Sequence, residues 1–256
     1  MTIISFKHRF IFFKSEKVAG TSLEIALSHF CGKDDIMSRF AFPRSNTLRE
    51  RHYPYPVRSF LDVVTNGAVR KVKINSPIPA RKYMGDDTFF SFLKISVTRN
   101  PYDRAVSDYA WRCRSRSVQE RSVSDFRNWF MCQKTLYAPY ATLTLERPYD
   151  AVDVMIRFEH FEEDLTALSR RLGLAENIYD IFKGTRAKGG VRPPQLTARA
   201  CFEGFPEGIA KVKKNYAVEL ETFGYDLPWL SSVTSGGQQA MVGTAGIEPA
   251  TPTMST

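Results

Sequence analysis

The amino-acid sequence predicts a three-layer α/β protein, in which helices cover both faces of a central parallel sheet. Three short apolar runs carry this prediction, at residues 10–13, 93–97 and 152–156, because such runs are typical of strands buried on both faces. Each run is followed by a helical pattern. Alternation of strand and helix along a chain is typical of parallel sheets.

The helices are predicted from apolar spacing and from capping residues. Apolar residues recur at three- and four-residue intervals after the first and third strands. After the second strand, Asn100 can cap a helix that has Pro101 in its first position. A last helix is expected over residues 209–223. The spaced apolar residues are Leu23, Ala26, Leu27 and Phe30 after the first strand, and Phe161, Leu165, Leu168 and Leu172 after the third.

The 256 residues, 43% of them hydrophobic, fit a single globular domain, which we place at residues 1–230. Residues 231–256 are rich in Ser, Thr, Gly and Pro, and Glu248 is their only charged residue. We expect this tail to be disordered. Residues 33–88 hold several prolines and many basic side chains, and the sequence assigns them no clear structure.

The net charge of +9 favours an anionic partner, such as a nucleotide, an acidic polysaccharide, a nucleic acid or an anionic membrane. A generally solvated basic surface accounts for the charge equally well. No apolar run approaches the ~18 residues of a membrane span, so we expect a cytoplasmic protein. The four cysteines lack the spacing of a zinc site, and we expect no metal.

The turn after the first strand, residues 14–22, has the composition of an anion-binding loop. Small residues precede a helix start at Thr21 and Ser22, so an anion could approach the first backbone N–H groups of the helix. Lys17 adds a mobile cation. The pattern is not a Walker A loop, because Lys17 precedes Gly20 by three positions. An ordinary strand-to-helix connection is the alternative.

The second strand and its helix carry a second pair of candidate anion ligands. Arg99 stands at the carboxyl end of the strand, and a guanidinium is suited to bidentate contact with phosphate. Ser107 lies two turns into the helix and could donate a further hydrogen bond. A surface arginine beside a small packing residue is the alternative.

Together these segments resemble the sulfotransferase family that uses 3′-phosphoadenosine 5′-phosphosulfate (PAPS), in its carbohydrate-acting, bacterial-like branch. Residues 17–22 match the family's 5′-phosphosulfate loop, and residues 99–109 match its 3′-phosphate motif. The resemblance, which extends unevenly over residues 9–226, implies a P-loop-kinase-like fold. It also implies transfer of a sulfuryl group from PAPS to a hydroxyl or amine of a carbohydrate or glycolipid, with 3′,5′-adenosine bisphosphate as the product.

The resemblance also implies a role for each matching residue. Lys17 is expected to contact the transferring sulfuryl group and its bridging oxygen, which makes it catalytic. The 3′-phosphate is expected to bind Arg99 and Ser107. The residues expected to hold the 5′-phosphate are Ala19, Gly20, Thr21 and Ser22.

The resemblance leaves the general base open. Many bacterial relatives have a histidine before the second motif, whereas residues 73–77 of this chain contain none. His52 is the first substitute, because an imidazole titrates near neutral pH, although it could equally be a surface histidine. Glu24 is the second, unless it only pairs with a basic residue. Lys14 is expected to point away from the loop.

Two other functions stay open from the sequence. An ATP-dependent small-molecule kinase on the same fold would need a carboxylate for Mg²⁺ at the end of the third strand. Glu159 is the nearest candidate there, since Asp153 falls inside the strand. A non-catalytic basic module that binds nucleic acid fits the charge, but the sequence has none of the recognised nucleic-acid motifs.

Overall fold

The computed structural model describes residues 2–37, 43–55, 77–134, 136, 152–185, 190–227 and 229. These residues form a mixed five-stranded sheet with helices against it, in the strand order β3-β1-β2-β4-β5. The strands are β1 (Thr2–Ser5), β2 (Phe10–Phe13), β3 (Ile36–Met37), β4 (Leu93–Thr98) and β5 (Val154–Arg157).

The centre of the sheet is parallel, as predicted, because β4 pairs in parallel with both β2 and β5. The other edge departs from the predicted parallel arrangement, because β1, which was not predicted, runs antiparallel to β2 and to β3. Only residues 6–9 separate β1 from β2. A connection this short joins antiparallel strands, since a parallel pair needs a crossover of a dozen or more residues.

Eleven helices lie in the described part of the chain. They are α1 (Gly20–Ser28), α2 (Pro43–Glu50), α3 (Pro77–Met84), α4 (Asp86–Ser91), α5 (Pro101–Arg112), α6 (Val123–Cys132), α7 (Phe161–Arg171), α8 (Ile178–Gly184), α9 (Ala198–Phe202), α10 (Pro206–Asn215) and α11 (Ala217–Phe223). A single 3₁₀ turn, Phe158–His160, connects β5 to α7. Residues 33–88, left unassigned from the sequence, contribute β3 and helices α2 to α4.

The three predicted strand–helix pairs are confirmed as β2–α1, β4–α5 and β5–α7. At the start of α5, the Asn100 side chain accepts a hydrogen bond from the N–H of Tyr102 at 3.0 Å, and Pro101 occupies the first position. The single helix predicted over residues 209–223 is instead two helices, α10 and α11. They meet at Tyr216, whose side chain is buried in the helical cluster described below.

Helices cover both faces of the sheet because alternate strand residues point to opposite sides. On one face, Phe10 and Phe12 of β2 pack with apolar residues of α1, α7 and α8. On the other face, Ile11 and Phe13 pack with Ala80 of α3 and with other apolar residues, including Phe89 of α4. The predicted layering of helix, sheet and helix is therefore present.

A second apolar cluster fixes α5 against the remaining helices. Tyr102 of α5 meets Phe202 of α9 edge to face, with ring centroids 5.1 Å apart. The start of α5 is also tied to the 3₁₀ turn that follows β5, because Glu159 accepts a hydrogen bond from the N–H of Asn100 at 2.7 Å. These contacts hold α5 beside the carboxyl ends of β2 and β4.

Some predictions fall on residues that the structure does not describe. The tail at residues 231–256 and the domain boundary at residue 230 lie outside the described residues, as do residues 73–76. Among the helices that are described, none has the length and apolar character needed to cross a membrane.

Candidate functional site

A cavity of about 790 Å³ opens at the carboxyl ends of β2, β4 and β5. The loop of residues 14–19 follows β2, Arg99 follows β4, and Phe158 follows β5. In α/β sheets, ligands bind at this edge. The residues predicted to bind the donor all line this cavity: Lys17, Ala19, Gly20, Thr21, Ser22, Arg99 and Ser107.

The loop before α1 has an unusual backbone. Lys17 has a φ of 64° and Ala19 a φ of 55°. This left-handed region costs a residue with a Cβ roughly 1–2 kcal/mol. Ala19 is the N-cap residue of α1, and its carbonyl accepts a hydrogen bond from the N–H of Ser22 at 3.0 Å. A methyl side chain cannot cap a helix, so the first-turn N–H groups suit an external anion.

Gly20 is the point where the loop and the Lys14 side chain come closest. A Cβ at this position would lie 2.7 Å from Cγ of Lys14 and 3.3 Å from the carbonyl oxygen of Ser15, so only glycine fits without a shift. Lys14 lines the cavity beside the loop, and the expectation that it points away is wrong. Because β2 ends at Phe13, the alternation of a strand no longer directs the next side chain.

Lys17 connects the loop to α5. Its carbonyl accepts a hydrogen bond from Nη1 of Arg99 at 2.8 Å. Its ammonium nitrogen lies 4.8 Å from the centroid of the Trp111 ring, within the range of a cation–π contact. Trp111 is one helical turn beyond Ser107, and both line the cavity. The ammonium of Lys17 therefore lies on the side of the cavity formed by α5.

Arg99 is held in a fixed orientation by three neighbours. Nε donates to Asp103 at 2.8 Å, Nη1 donates to Lys17, and the guanidinium stacks on Phe158 at 3.9 Å from the ring centroid. Burial lowers the pKa of Arg99, and the Asp103 carboxylate opposes that shift. Burial would raise the pKa of Asp103, but the guanidiniums of Arg99 and Arg192 hold it below its usual value. Two guanidiniums therefore share the Asp103 carboxylate, and the Glu159 carboxylate adds a further favourable charge for Arg99.

An aromatic wall, defined here as Phe158, Phe161, Tyr179 and Phe182, forms another side of the cavity. The rings of Phe161 and Phe182 meet edge to face with centroids 4.8 Å apart. The Lys183 ammonium lies 4.9 Å from the Tyr179 ring centroid. Such a wall offers flat apolar surface, which suits a nucleobase or the apolar face of a sugar.

The structure does not bring His52 to the cavity, contrary to the role predicted for it. The centroid of its ring lies 5.8 Å from that of His29, and His29 caps the opposite end of α1 from the anion-binding loop. Burial, followed by the charges of His29 and Arg51, lowers the pKa of His52. All four histidines belong to the described residues, and none lines the cavity. The structure therefore gives no support to His52 as the general base.

Glu24 does pair with basic residues, as the alternative interpretation held. Its side chain is fully buried and accepts from Nζ of Lys14 at 3.0 Å and from Nη2 of Arg49 at 2.7 Å. Glu24 is also absent from the described lining of the cavity, so the structure gives no support to it as the general base.

Cations dominate the described lining of the cavity. Glu16 is the acidic residue of this described lining, and it stands beside the loop lysines. No group of three or more His, Cys, Asp or Glu that could hold a metal ion occurs within the described ranges. The basic residues that line the cavity are Lys14, Lys17, Arg99, Lys183 and Arg192.

Sequence reasoning missed Lys14, Trp111, Arg192 and the aromatic wall. Trp111 carried a usable signal, because it follows Ser107 by four residues on the same helix. Phe158 also carried a signal, because it follows β5 as Arg99 follows β4. Arg192 carried no local signal, since its position depends on the path of the chain after α8.

Comparisons of this chain with protein-family models, with curated proteins and with solved structures found no match in any of the three. The functional conclusion therefore depends on the residues that meet at this cavity.

Proposed function

We propose that the protein is a sulfotransferase on a P-loop-kinase-like fold, with PAPS as donor and a hydroxyl or amine of a carbohydrate or glycolipid as acceptor. The supporting observation is that two motifs far apart in the sequence meet at one cavity. Nη1 of Arg99 donates to the carbonyl of Lys17, 82 residues earlier, at 2.8 Å. Ser107 and the first turn of α1 line the same space.

The chemistry of the lining suits a nucleotide that carries phosphate at both ends of its ribose. One group of donors consists of the α1 N-terminus, Thr21 and Ser22, and the other consists of Arg99 and Ser107. Three of the five N–H groups of Arg99 donate hydrogen bonds to Asp103 and to the Lys17 carbonyl. The other two can donate to an oxyanion of the ligand. The aromatic wall supplies a surface for the base.

When bound, PAPS supplies an activated sulfuryl group whose leaving group is a phosphate. The amides of α1 and the hydroxyls of Thr21 and Ser22 would hold that phosphate in line with the acceptor. The Lys17 ammonium would offset the negative charge that develops on the bridging oxygen. Arg99 and Ser107 would fix the other end of the nucleotide.

The arrangement around β5 counts against the kinase alternative. Glu159, the nearest candidate for Mg²⁺, accepts hydrogen bonds from the N–H of Asn100 and from Oη of Tyr225, at 2.7 and 3.1 Å. Asp153 lies at the opposite end of β5 and pairs with Nζ of Lys94 at 2.9 Å. The nucleic-acid alternative draws on the net charge alone, whereas five basic side chains of the described residues line the cavity.

Nucleotide preference tests the proposal directly. Isothermal titration calorimetry should show that 3′,5′-adenosine bisphosphate binds much more tightly than ADP or AMP. A charged hydrogen bond contributes about 1.5–3 kcal/mol, so Arg99→Ala should remove most of the preference. Equal affinities of the unmodified protein for the three nucleotides would contradict the proposal.

Ser107→Ala is the matched control, because Arg99 also supports the loop through Lys17. The serine variant leaves that support intact, and it should weaken bisphosphate binding while ADP binding stays unchanged. Transfer of radiolabelled sulfate from PAPS onto polysaccharides, glycolipids and small phenols should then identify the acceptor class.

A further inference from the structure

Three charged side chains, Lys14, Glu24 and Arg49, form a buried charge triad beside the anion-binding loop. Glu24 lies one turn into α1 and is 0% exposed. Its two oxygens bind different cations, since Oε2 accepts from Lys14 at 3.0 Å and Oε1 accepts from Arg49 at 2.7 Å. Arg49 belongs to α2 and is 1% exposed.

The triad carries more positive charge than Glu24 needs. Burying a carboxylate is costly unless it is paired, and Arg49 alone would supply one full counter-charge. Lys14 adds a second, so the triad retains a net charge of +1 beside the N-terminus of α1.

Lys14 is the member of the triad that faces the cavity. It lines the cavity with Lys17, and its side chain is 14% exposed. Its Cγ would lie 2.7 Å from a Cβ at Gly20, so its stem runs directly against the first residue of α1. An ammonium held there places a positive charge beside the first turn of α1, where an anion would be bound.

We propose that Lys14 is a second cation of the donor site, and that Glu24, itself held by Arg49, is a positioning residue that keeps the Lys14 ammonium beside the loop. The nature of the ligand, an anionic sulfate or phosphate group, rests on the proposed function. The position of the Lys14 charge is independent of the proposed function, because it follows from the contacts of the triad. Lys17 then faces α5, and Lys14 supports the loop from the side of β2.

The first experiment measures the binding of two probes, inorganic pyrophosphate and 3′,5′-adenosine bisphosphate, by calorimetry. Lys14→Met should weaken both by about tenfold, the scale of one partly screened charged hydrogen bond. Lys14→Arg should retain most of the affinity. Lys213→Met removes an exposed charge on α10 and is the matched control, with an expected change of less than about twofold.

An affinity of Lys14→Met within about twofold of the unmodified protein for both probes would overturn the proposal. Lys14→Met leaves Glu24 paired with Arg49, so this variant should fold. If the bisphosphate binds no more tightly than pyrophosphate while Lys14→Met still weakens both, the role of Lys14 stands. In that case it is the proposed sulfotransferase function that fails.

The second experiment asks whether Glu24 acts through Lys14. Glu24→Gln should weaken pyrophosphate binding severalfold in the unmodified protein and cause no further loss in the Lys14→Met background. An equal loss in both backgrounds would overturn the positioning role. Should Glu24→Gln fail to fold, Glu24→Asp permits the same comparison, because it keeps the charge and draws the carboxylate back from Lys14.

Discussion

Lys17 contributes to the candidate site with both its backbone carbonyl and its side-chain ammonium. Its φ of 64° is unfavourable for a residue with a Cβ, and the hydrogen bond from Arg99 to its carbonyl helps to hold it there. Strained backbone persists where surrounding contacts over-determine it, and it is concentrated at functional sites. The ammonium contacts the Trp111 ring on the α5 side of the cavity, so the charge has a defined position.

We expect Lys17→Ala to lower kcat for sulfuryl transfer by about 10²–10³, the scale for loss of one preorganised charge stabiliser. The ammonium matters most when charge develops on the bridging oxygen, so the effect should be larger on kcat than on nucleotide affinity. Donor groups at Thr21, Ser22 and Arg99 remain in the variant. Steady-state kinetics and calorimetry on the same preparation separate the two effects.

Lys213→Ala is the control for this prediction, because Lys213 is exposed on α10 and does not line the cavity. Lys14 cannot serve as a control, since it lines the cavity itself. An unchanged kcat in Lys17→Ala would remove Lys17 from the catalytic step.

The element that organises the site is the connection from β2 into α1. It places small residues, two lysines and a helix N-terminus within one short segment. Its shape depends on Gly20, where the Lys14 stem and the Ser15 carbonyl leave no room for a Cβ. The packing of Lys14 on Gly20 therefore connects the loop to the buried charge triad.

Gly20→Ala should displace Lys14 or open the loop, because the contacted Cγ is not the free end of a side chain. We expect anion binding to weaken at least tenfold, and the free energy of unfolding to fall by about 1–3 kcal/mol, as in other overpacked sites. Calorimetry with pyrophosphate and chemical denaturation measure the two effects.

Gly184→Ala on α8 is the matched control, since a Cβ there would meet no atom within 4 Å. It should leave both quantities nearly unchanged. Unaltered anion binding in Gly20→Ala would show that close packing of Lys14 on the loop is not needed for binding.

At the scale of the whole molecule, basic side chains from several elements meet at one cavity. The lysines and arginines concerned come from the β2–α1 loop, from the residue after β4, from α8 and from the segment after α8. Carboxylates near the strand ends are engaged elsewhere, as Glu159 is with Asn100 and Tyr225. The net charge of +9 is consistent with this supply of cations.

Sulfuryl transfer should therefore survive EDTA. The lysines and arginines of the lining can offset the charge of donor and leaving group without Mg²⁺. The measurement is the rate of radiolabelled sulfate transfer before and after chelation, in buffer freed of divalent ions. Complete loss of activity that magnesium restores would favour the kinase alternative.

Local signals in the sequence predicted much of the fold. Runs of β-branched and aromatic residues located β2 and β4, and Asn100 with Pro101 located the start of α5. The antiparallel strand β1 was missed, because strand direction is set by the length of the connection and not by the composition of the strand. The break at Tyr216 was missed because apolar spacing continues across it, although Tyr216 has a non-helical φ of −126° and a buried side chain.

The sequence by itself determined which side chains are candidates for anion binding, since short-range patterns specify a small-residue loop, a helix start and an arginine after a strand. Only the tertiary structure decided which of these candidates meet. It joined Arg99 to Lys17, brought Lys14 against Gly20 and left His52 at the far end of α1. Spacing along a chain constrains neighbours within an element. Contacts between elements depend on how their apolar faces pack, and the packing partners of each face cannot be read from a single sequence.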